Sequence, residues 1–191
     1  MSATPEMAAK AGLCKACRDE SLHTPEMNAP MPFLILVRHA KSVDRMDAED
    51  DFARGLTPDG RDDAARAGVA LAEAGVTPSL ALVSPAQRTK QTWSIISDAI
   101  GDIATESPMA LYHASQDFLE RAARDAFDHH DTVVMVGHNP GIGALAHDLG
   151  WKADAAAELP DGYPTSAATV FEVDAALGNP RLVCTFDPMA G

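Results

Sequence analysis

The sequence has few cysteines and no long hydrophobic run. Three cysteines among 191 residues do not make a disulfide framework, and a reducing compartment would keep them as thiols. No apolar run approaches the roughly 20 residues that a membrane-spanning helix requires. The N-terminus also lacks the long apolar segment of a secretory signal. These absences lead us to expect a cytoplasmic protein.

Positive charge is scarce as well. Fifteen lysines and arginines stand against 28 acids, which gives a net charge of −13. Proteins that bind nucleic acid usually carry a basic face, so neither nucleic acid nor an anionic membrane is an expected partner. An anionic substrate is still compatible with this charge. Salt screens charges over roughly 8 Å, and a local cationic pocket can therefore persist on an acidic protein.

The first part of the chain differs from the rest. Residues 1–32 contain four prolines and scattered charges, without sustained apolar periodicity. We predict a poorly ordered or partly helical tail at 1–31 and one domain at 32–191. A chain of this length with 46% hydrophobic residues suits a single α/β domain, and we favour a monomer.

The tail carries Cys14 and Cys17 in a CxxC pattern, with His23 downstream. A structural zinc site needs four ligands, and this segment offers three at most. A redox CxxC normally opens a helix after a strand, and no strand precedes this one. Two free thiols are the favoured interpretation.

Short apolar runs alternate with helical segments through the domain. Strands are predicted at 33–37, 80–83 and 132–136, with a further short strand at 105–107 or 110–112 and a closing antiparallel pair at 168–173 and 181–186. Helices are predicted at 58–74, 85–100, 116–128 and 141–149. Thr57-Pro58 and Ser84-Pro85 are both typical of a helix N-cap followed by a first-turn proline. This order predicts an α/β protein with three layers, α/β/α, around a largely parallel central sheet.

Three of these strands run into polar groups. Arg38 and His39 come directly after the first strand. Arg88 lies in the first helical turn after the second strand, and His138 follows the third. Neighbouring parallel strands end at the same edge of a sheet, so these side chains and two helix N-termini would surround one crevice. Guanidinium groups and free helical N–H groups bind phosphate oxygens, and the sequence therefore predicts an anion site.

Each of these features also has an ordinary structural explanation. The Arg38-His39 pair is compatible with a surface pair, and Arg88 with a surface salt bridge. Gly137-His138-Asn139-Pro140 is compatible with a tight turn that Asn139 caps. The agreement of three strand ends favours the functional interpretation.

Four motifs, in this order, resemble the histidine phosphatase superfamily, the phosphoglycerate mutase-like group. They are Arg38-His39-Ala40-Lys41-Ser42, Leu56-Thr57-Pro58-Asp59-Gly60, Ser84-Pro85-Ala86-Gln87-Arg88-Thr89-Lys90-Gln91-Thr92 and Gly137-His138-Asn139-Pro140. The resemblance covers residues 32–186. The Ala-Lys-Ser that follows His39 and the short chain look most like the SixA-type branch of phosphohistidine phosphatases.

The resemblance implies a role for each main site residue. His39 would be the nucleophile that attacks phosphorus and forms a covalent phosphohistidine enzyme. Arg38, Arg88 and His138 would bind the oxygens of the transferring phosphoryl group. Positive charge from the two arginines should favour the neutral imidazole of His39.

Further residues have less defined roles. Asn139 is predicted to bind phosphate together with the two arginines and His138, and Lys41 and Ser42 are auxiliary candidates. No cofactor and no metal are expected, because cationic side chains here would do the work that magnesium does elsewhere.

The general acid is where the chain departs from the family. Many members place a Glu or Asp after the second helix, whereas residues 111–117 contain no carboxylate that stands out. Glu106, Asp117, Asp50 and Asp51 are candidates, although for each of them a solvated surface acid is the favoured interpretation. A missing acid is tolerable if the leaving group is an imidazole, because a P–N bond to a protonatable nitrogen breaks more easily than a phosphate ester.

The leading hypothesis is a metal-independent phosphatase that hydrolyses phosphohistidine, in a protein or in a small phosphorylated molecule, through a phosphohistidine intermediate. One alternative is a small-molecule phosphomonoesterase or mutase of the same family; the short chain and the doubtful acid count against a mutase. The other is a non-catalytic phosphoprotein-binding module. The presence of His39 together with all its predicted partners counts against that module.

Overall fold

A computed structural model of the chain describes residues 31–189. Its strands are β1 (Phe33–Arg38), β2 (Leu80–Val83), β3 (Thr105–Glu106), β4 (Thr132–Gly137), β5 (Ala168–Glu172) and β6 (Arg181–Phe186). Its helices are α1 (Pro58–Glu73), α2 (Gln87–Ile100), α3 (Gln116–Phe127) and α4 (Gly141–Lys152). The predicted tail and its CxxC lie outside the described residues, apart from Met31.

The six strands form one sheet in the order β3-β2-β4-β1-β5-β6. β1 to β4 run parallel, and β5 and β6 complete the sheet as antiparallel strands. β4 lies between β2 and β1, with Val83 opposite Val136 and Arg38 opposite Gly137. The three strands that carry the polar groups are therefore direct neighbours and end at the same edge of the sheet.

Helices cover both faces of the sheet, because alternate residues of each buried strand point to opposite faces. Ile35 and Val37 of β1 belong to the core under α1 and α2. Leu34 and Leu36 belong to the core under α3 and α4. The predicted three-layer α/β/α fold of the phosphoglycerate mutase type is thus confirmed.

The start of α1 follows from its local sequence. The Thr57 hydroxyl accepts a hydrogen bond from the Gly60 amide at 3.0 Å, and Pro58 takes the first helical position, where no amide hydrogen is needed. Gly60 lies close to the end of the first strand segment. A Cβ atom at this position would stand 2.0 Å from the Lys41 carbonyl oxygen, so only glycine allows this approach.

Three details of the predicted elements differ from the structure. Ser84 is not an N-cap: α2 starts at Gln87 after Ala86, and no side chain caps it. The short edge strand is the one at Thr105–Glu106, whereas Met109–Leu111 forms a 3₁₀ turn. α4 continues to Lys152 rather than ending at Leu149. No helix in residues 31–189 is long and apolar enough to cross a membrane.

Candidate active site

A cavity of about 280 Å³ opens at the sheet edge where β1, β2 and β4 end. It is lined by Arg38, His39, Lys41, Ser42, Asp51, Arg54, Arg88, His113, His138, Asn139 and Thr165. All seven residues that the sequence predicted for the site are among them. The structure adds four that the motifs did not single out as ligands of the site.

His39 sits at the end of β1 with one ring nitrogen fixed. Nδ1 donates to the carbonyl oxygen of Ala40 at 2.9 Å, so the proton of the neutral ring lies on Nδ1 and Nε2 keeps its lone pair. Burial lowers the pKa of His39 to about 4, and the charges of Arg88 and Arg38 lower it further, against the opposing effect of the Ala40 contact. The ring is unprotonated at neutral pH.

Arg38 is held by the irregular segment 153–167. Its Nη1 donates to the carbonyl oxygen of Tyr163 at 2.9 Å. The Asn139 amide nitrogen donates to the same oxygen and to that of Gly162, each at 3.1 Å. The Asn139 side-chain oxygen accepts from the Gly143 amide at 3.2 Å. The amide of Asn139 thus holds the loop and the start of α4, and its contact with phosphate stays a prediction.

The Tyr163 side chain fixes this loop from below. It is fully buried, and its hydroxyl donates to the Leu36 carbonyl oxygen at 2.8 Å and lies 3.0 Å from Thr169 Oγ1. Burial raises the pKa of Tyr163 well above its usual value. Because the hydroxyl is anchored on β1 and β5, the Tyr163 carbonyl that receives Arg38 is fixed relative to the sheet.

Arg88 is almost completely buried, at 2% exposure. Its Nη1 donates to the backbone oxygen of Asp51 at 2.6 Å, and its Nη2 lies 3.1 Å from the Asp51 carboxylate. The guanidinium therefore enters the cavity with its outer nitrogens held by the loop that follows β1.

His138 is paired with Ser84 from the end of the neighbouring strand. Ser84 Oγ and His138 Nε2 lie 2.7 Å apart, and both residues are buried. The His138 ring centroid is 5.2 Å from that of His39. Burial lowers the pKa of His138 to about 3, and the neighbouring His39, Arg88 and His113 act in the same direction.

Several buried polar atoms of the site have no hydrogen-bond partner. Among the described residues these are Arg38 Nε, Arg88 Nε, His138 Nδ1 and Ser166 Oγ. These atoms are almost inaccessible to solvent, so they do not by themselves define a ligand site. The cavity is lined by the side chains of Arg38, Arg54 and Arg88, and this cationic lining suits an oxyanion.

The charged stretch 44–54 folds over the cavity as a loop whose ends meet. The Val43 amide donates to Gly55 at 2.9 Å, and Ser42 pairs with Leu56. Arg54 crosses this loop: its Nη1 lies 3.0 Å from the Asp51 carboxylate and its Nη2 donates to Ser42 Oγ at 3.0 Å. Arg54 adds a cation to the cavity that the motifs did not reveal. Its only sequence signal was its place in a loop next to the site.

Lys41 contributes to the rim rather than to the floor of the cavity. Its ammonium group lies 2.9 Å from the Asp59 carboxylate, and both side chains are largely exposed. The hydrogen bond with Asp59 raises the pKa of Lys41, so it stays charged.

Of the four acids considered as proton donors, only Asp51 lines the cavity. Glu106 lies on the edge strand β3, and Asp117 is exposed in the first turn of α3. Asp50 accepts a hydrogen bond from the Ala53 amide within the loop. The Tyr112 hydroxyl donates to Asp51 at 2.7 Å and, together with Arg54 and Arg88, holds the pKa of Asp51 far below its usual value. Asp51 is therefore a carboxylate at any working pH.

Tyr112 and His113 occupy the segment in which many family members carry the Glu or Asp that serves as general acid. His113 lines the cavity, with its ring centroid 4.9 Å from that of His138 and 4.3 Å from that of Tyr112. The sequence did carry a signal for it. A histidine directly before the α3 cap, in a segment next to the site, offers proton chemistry as readily as a carboxylate does.

No group of three or more His, Cys, Asp and Glu side chains within residues 31–189 is arranged to hold a metal ion. The absence of a metal from the reaction stays a prediction.

Comparisons with known proteins agree with this geometry. The family model of the histidine phosphatase superfamily (branch 1) matches residues 34–109. A solved structure of a candidate phosphohistidine phosphatase SixA from Agrobacterium tumefaciens is 28% identical, with a TM-score of 0.74 over 84% of this chain and 100% of that chain. One from Nakamurella multipartitia is 26% identical, with a TM-score of 0.71 over 85% and 99%. No curated protein matches the chain at the sequence level.

A third solved structure is less similar in sequence, and its likeness shows the fold alone. It is a protein histidine phosphatase SixA with bound tungstate, 23% identical, with a TM-score of 0.66 over 82% of this chain and 97% of that one. The family motifs, the sheet order and these likenesses agree with one another. Over residues 34–109 the chain is similar to the histidine phosphatase superfamily (branch 1), and together with the likeness to the two SixA structures this supports a phosphatase.

Proposed function

We propose that this phosphatase hydrolyses phosphohistidine through a covalent intermediate on His39. The observation that carries the proposal is the fixed tautomer of His39. Its Nδ1 proton is bound to the Ala40 carbonyl, and Nε2 is left unprotonated beside a cavity with two arginines. An imidazole in this state is a nucleophile ready for phosphorus.

The side chains of Arg38, Arg88 and His138 would bind the phosphoryl oxygens, since all three line the cavity. A transferring phosphoryl group spreads its charge over three oxygens. Ser84 Oγ lies 2.7 Å from His138 Nε2, and we assign the proton of this hydrogen bond to the serine, which leaves the proton of the neutral ring on Nδ1. Fixed donors of this kind stabilise the transition state without reorganising during the reaction.

The reaction then has two balanced steps. In the first, His39 Nε2 forms a bond to phosphorus while the P–N bond of the substrate breaks, and the departing imidazole takes the electron pair and one proton from a group of the cavity or from solvent. In the second, water attacks the phosphorus and returns one proton to that group or to solvent, the bond to Nε2 breaks, and inorganic phosphate leaves. His39 returns to its neutral form.

Two observations support phosphohistidine over a phosphate ester. The only acid that lines the cavity, Asp51, is held as a carboxylate and cannot donate a proton to an alkoxide. The SixA structures from Agrobacterium tumefaciens and Nakamurella multipartitia, which share the fold over nearly their whole length, carry the phosphohistidine phosphatase description. An imidazole leaving group depends less on a proton donor than the alkoxide of a phosphate ester does.

Phosphoenzyme trapping tests the covalent step. The protein is mixed with a phosphohistidine protein labelled with ³²P, quenched in alkali, and digested. We expect a base-stable, acid-labile label on the peptide that contains His39. His39→Ala should lose the label, whereas His129→Ala, an exposed change before the amino end of β4, should retain it. Hydrolysis without any phosphoenzyme in the wild-type protein would contradict the mechanism.

Substrate comparison tests the class of substrate. Rates of phosphate release are measured in parallel on the phosphohistidine protein and on a panel of phosphate monoesters. We expect higher kcat/KM for the phosphohistidine protein by at least about 100-fold, or 2.7 kcal/mol of transition-state stabilisation. Faster turnover of the monoesters would favour the phosphomonoesterase alternative instead.

A further inference from the structure

We propose that His113 is a catalytic residue, the proton donor to the leaving group and the acceptor of the proton from water. This inference rests on the proposed function, and it assigns an imidazole to a role for which the cavity offers no usable carboxylic acid. No motif of the family resemblance contains His113.

The position of His113 fits the role. Its side chain is 53% exposed and lines the mouth of the same cavity as His39. The rings of His39, His138 and His113 follow one another, with centroid separations of 5.2 Å and 4.9 Å. The rings of His39 and His113 therefore both lie close to His138. In an in-line displacement the departing atom lies on the side of phosphorus away from Nε2.

One nitrogen of His113 is occupied and the other is available. Nε2 donates to the Asp51 carboxylate over 3.4 Å, and Nδ1 has no hydrogen-bond partner among residues 31–189. Asp51 orients the ring, as a carboxylate orients the histidine of a catalytic pair. Nδ1 is therefore the atom that we assign to proton transfer.

The backbone holds His113 in a conformation that a side chain seldom adopts. Its φ is +52°, in the left-handed region, which is unfavourable for a residue other than glycine. The following residue is pressed against α4: a Cβ on Gly141 would stand 2.0 Å from the Ala114 carbonyl oxygen. Ser115 then caps α3. Packing on both sides of Ala114 keeps the unfavourable turn and with it the ring at the cavity.

The other titratable groups of the cavity are unsuited to the role. His39 and His138 have lowered pKa values and are neutral at physiological pH. Asp51 stays ionised, and the pKa of Lys41 is raised by its hydrogen bond with Asp59. Burial and the hydrogen bond to Asp51 likewise raise the pKa of Tyr112, so it retains its proton. His113 lines the same cavity and is the group that we assign to the role.

The proton transfers balance across the two steps. As the P–N bond of phosphohistidine breaks, protonated His113 gives its Nδ1 proton to the imidazole that departs and becomes neutral. When water attacks the phosphoenzyme, Nδ1 takes one proton from that water, and His113 is protonated again. One residue serves as acid and then as base, as the reversal of the chemistry requires.

Charged and titratable groups face His113 from the loop, from β4 and from its own segment. Asp51 approaches from the loop, with Arg54 and Arg88 paired to its carboxylate. His138 faces it from the end of β4 and Tyr112 from its own segment. We expect the pH profile of kcat/KM to change when His113 is replaced.

A pair of small phosphoramidates tests the assignment. N-Phosphorylimidazole needs a proton to leave as neutral imidazole, whereas 1-phosphoryl-3-methylimidazolium leaves neutral without one. His113→Asn suits the test because asparagine tolerates a positive φ, and His129→Asn is the control. We expect His113→Asn to lose about 100-fold in kcat/KM or more on the first substrate above neutral pH. On the methylated substrate the kcat/KM of this variant should fall by less than about threefold. The control variant should keep the wild-type kcat/KM on both substrates.

The outcomes separate this inference from the proposed function. An equal loss on both substrates would mean that His113 only positions the phosphoryl group, and no loss on either would remove it from the reaction; both overturn the assignment. If the wild-type protein turns over neither phosphoramidate, the phosphohistidine proposal fails. His113→Asn is then compared with wild type on p-nitrophenyl phosphate and on an alkyl phosphate. Its loss of kcat/KM must be greater on the alkyl phosphate, which has the poorer leaving group. Thermal unfolding of the variants, matched to wild type, excludes misfolding.

Discussion

Asp51 and Arg88, 37 residues apart, are joined by two hydrogen bonds, at 2.6 Å to the backbone oxygen and 3.1 Å to the carboxylate. Arg88 is nearly inaccessible, whereas the Asp51 side chain is 35% exposed. The loop after β1 thus supplies the counter-charge of a buried arginine that we propose binds phosphate. Under this proposal the loop and the substrate would contact the same guanidinium.

Asp51→Asn should lower the stability of the ligand-free protein and increase the stabilisation that a bound oxyanion provides. The amide keeps the shape of the carboxylate but leaves Arg88 with less compensation for its charge. We expect a loss of about 1–2 kcal/mol in the free energy of unfolding, because Asp51 is partly solvated. Saturating orthovanadate should raise the melting temperature more in the variant than in the wild type. Asp50→Asn, which leaves Arg88 untouched, should match wild type in both measurements.

The stability of the protein should fall as the pH drops from 6.5 towards 4. Unfolded histidine takes up a proton near its ordinary value of 6.5, whereas folded His39 and His138 resist protonation down to about 4 and about 3. The unfolded state therefore binds more protons in this window, and each of these histidines should contribute a slope of roughly 1.4 kcal/mol per pH unit.

Urea unfolding at several pH values measures this slope. In His39→Asn the slope between pH 4.5 and 6 should be smaller than in wild type by that amount, since one of the two histidines is gone. His129→Asn, at an exposed position, should leave it unchanged. An identical slope in His39→Asn and wild type would show that His39 titrates normally in the folded protein.

Ser84→Ala should impair the reaction through His138. The change leaves His138 Nε2 buried without its 2.7 Å partner, which costs about 1–3 kcal/mol of stability and frees the tautomer of the ring. We expect kcat/KM to fall by roughly 10-fold to 100-fold if the Nδ1 proton serves the phosphoryl group. Ser94→Ala, on the exposed face of α2, is the control. Unchanged kinetics in Ser84→Ala would mean that His138 does not depend on this hydrogen bond.

Gly60→Ala should destabilise the protein because the first turn of α1 lies against the backbone of Lys41. The added Cβ would stand 2.0 Å from the Lys41 carbonyl oxygen, which also accepts from the Thr57 amide at 3.0 Å. We expect a cost of about 1–3 kcal/mol in urea unfolding. At Gly178 a Cβ meets only a flexible Asp174 side chain at 3.4 Å, so Gly178→Ala should be nearly neutral. Equal midpoints for the two variants would contradict the close approach.

Much of this fold was predictable because its signals are local. Runs such as 33–37 and 132–136 are apolar throughout, and a strand buried on both faces is the structure that they favour. Thr57-Pro58 carries its own cap, and the structure contains that cap. The order of strands and helices then fixed the layers, and the strand ends brought Arg38, Arg88 and His138 to one edge, as predicted.

The sequence by itself therefore determined the layered architecture and the meeting of the four motif residues at one cavity. Only the tertiary structure decided which partner each polar side chain takes. Ser84 is a residue type typical of a helix N-cap, yet its hydroxyl forms a hydrogen bond with His138, 54 residues away. The sequence around Asp51 is typical of a solvated surface loop, yet its carboxylate forms an ion pair with Arg88. A local and a distant hydrogen bond differ little in free energy, so the choice depends on which groups the folded sheet places within 3 Å.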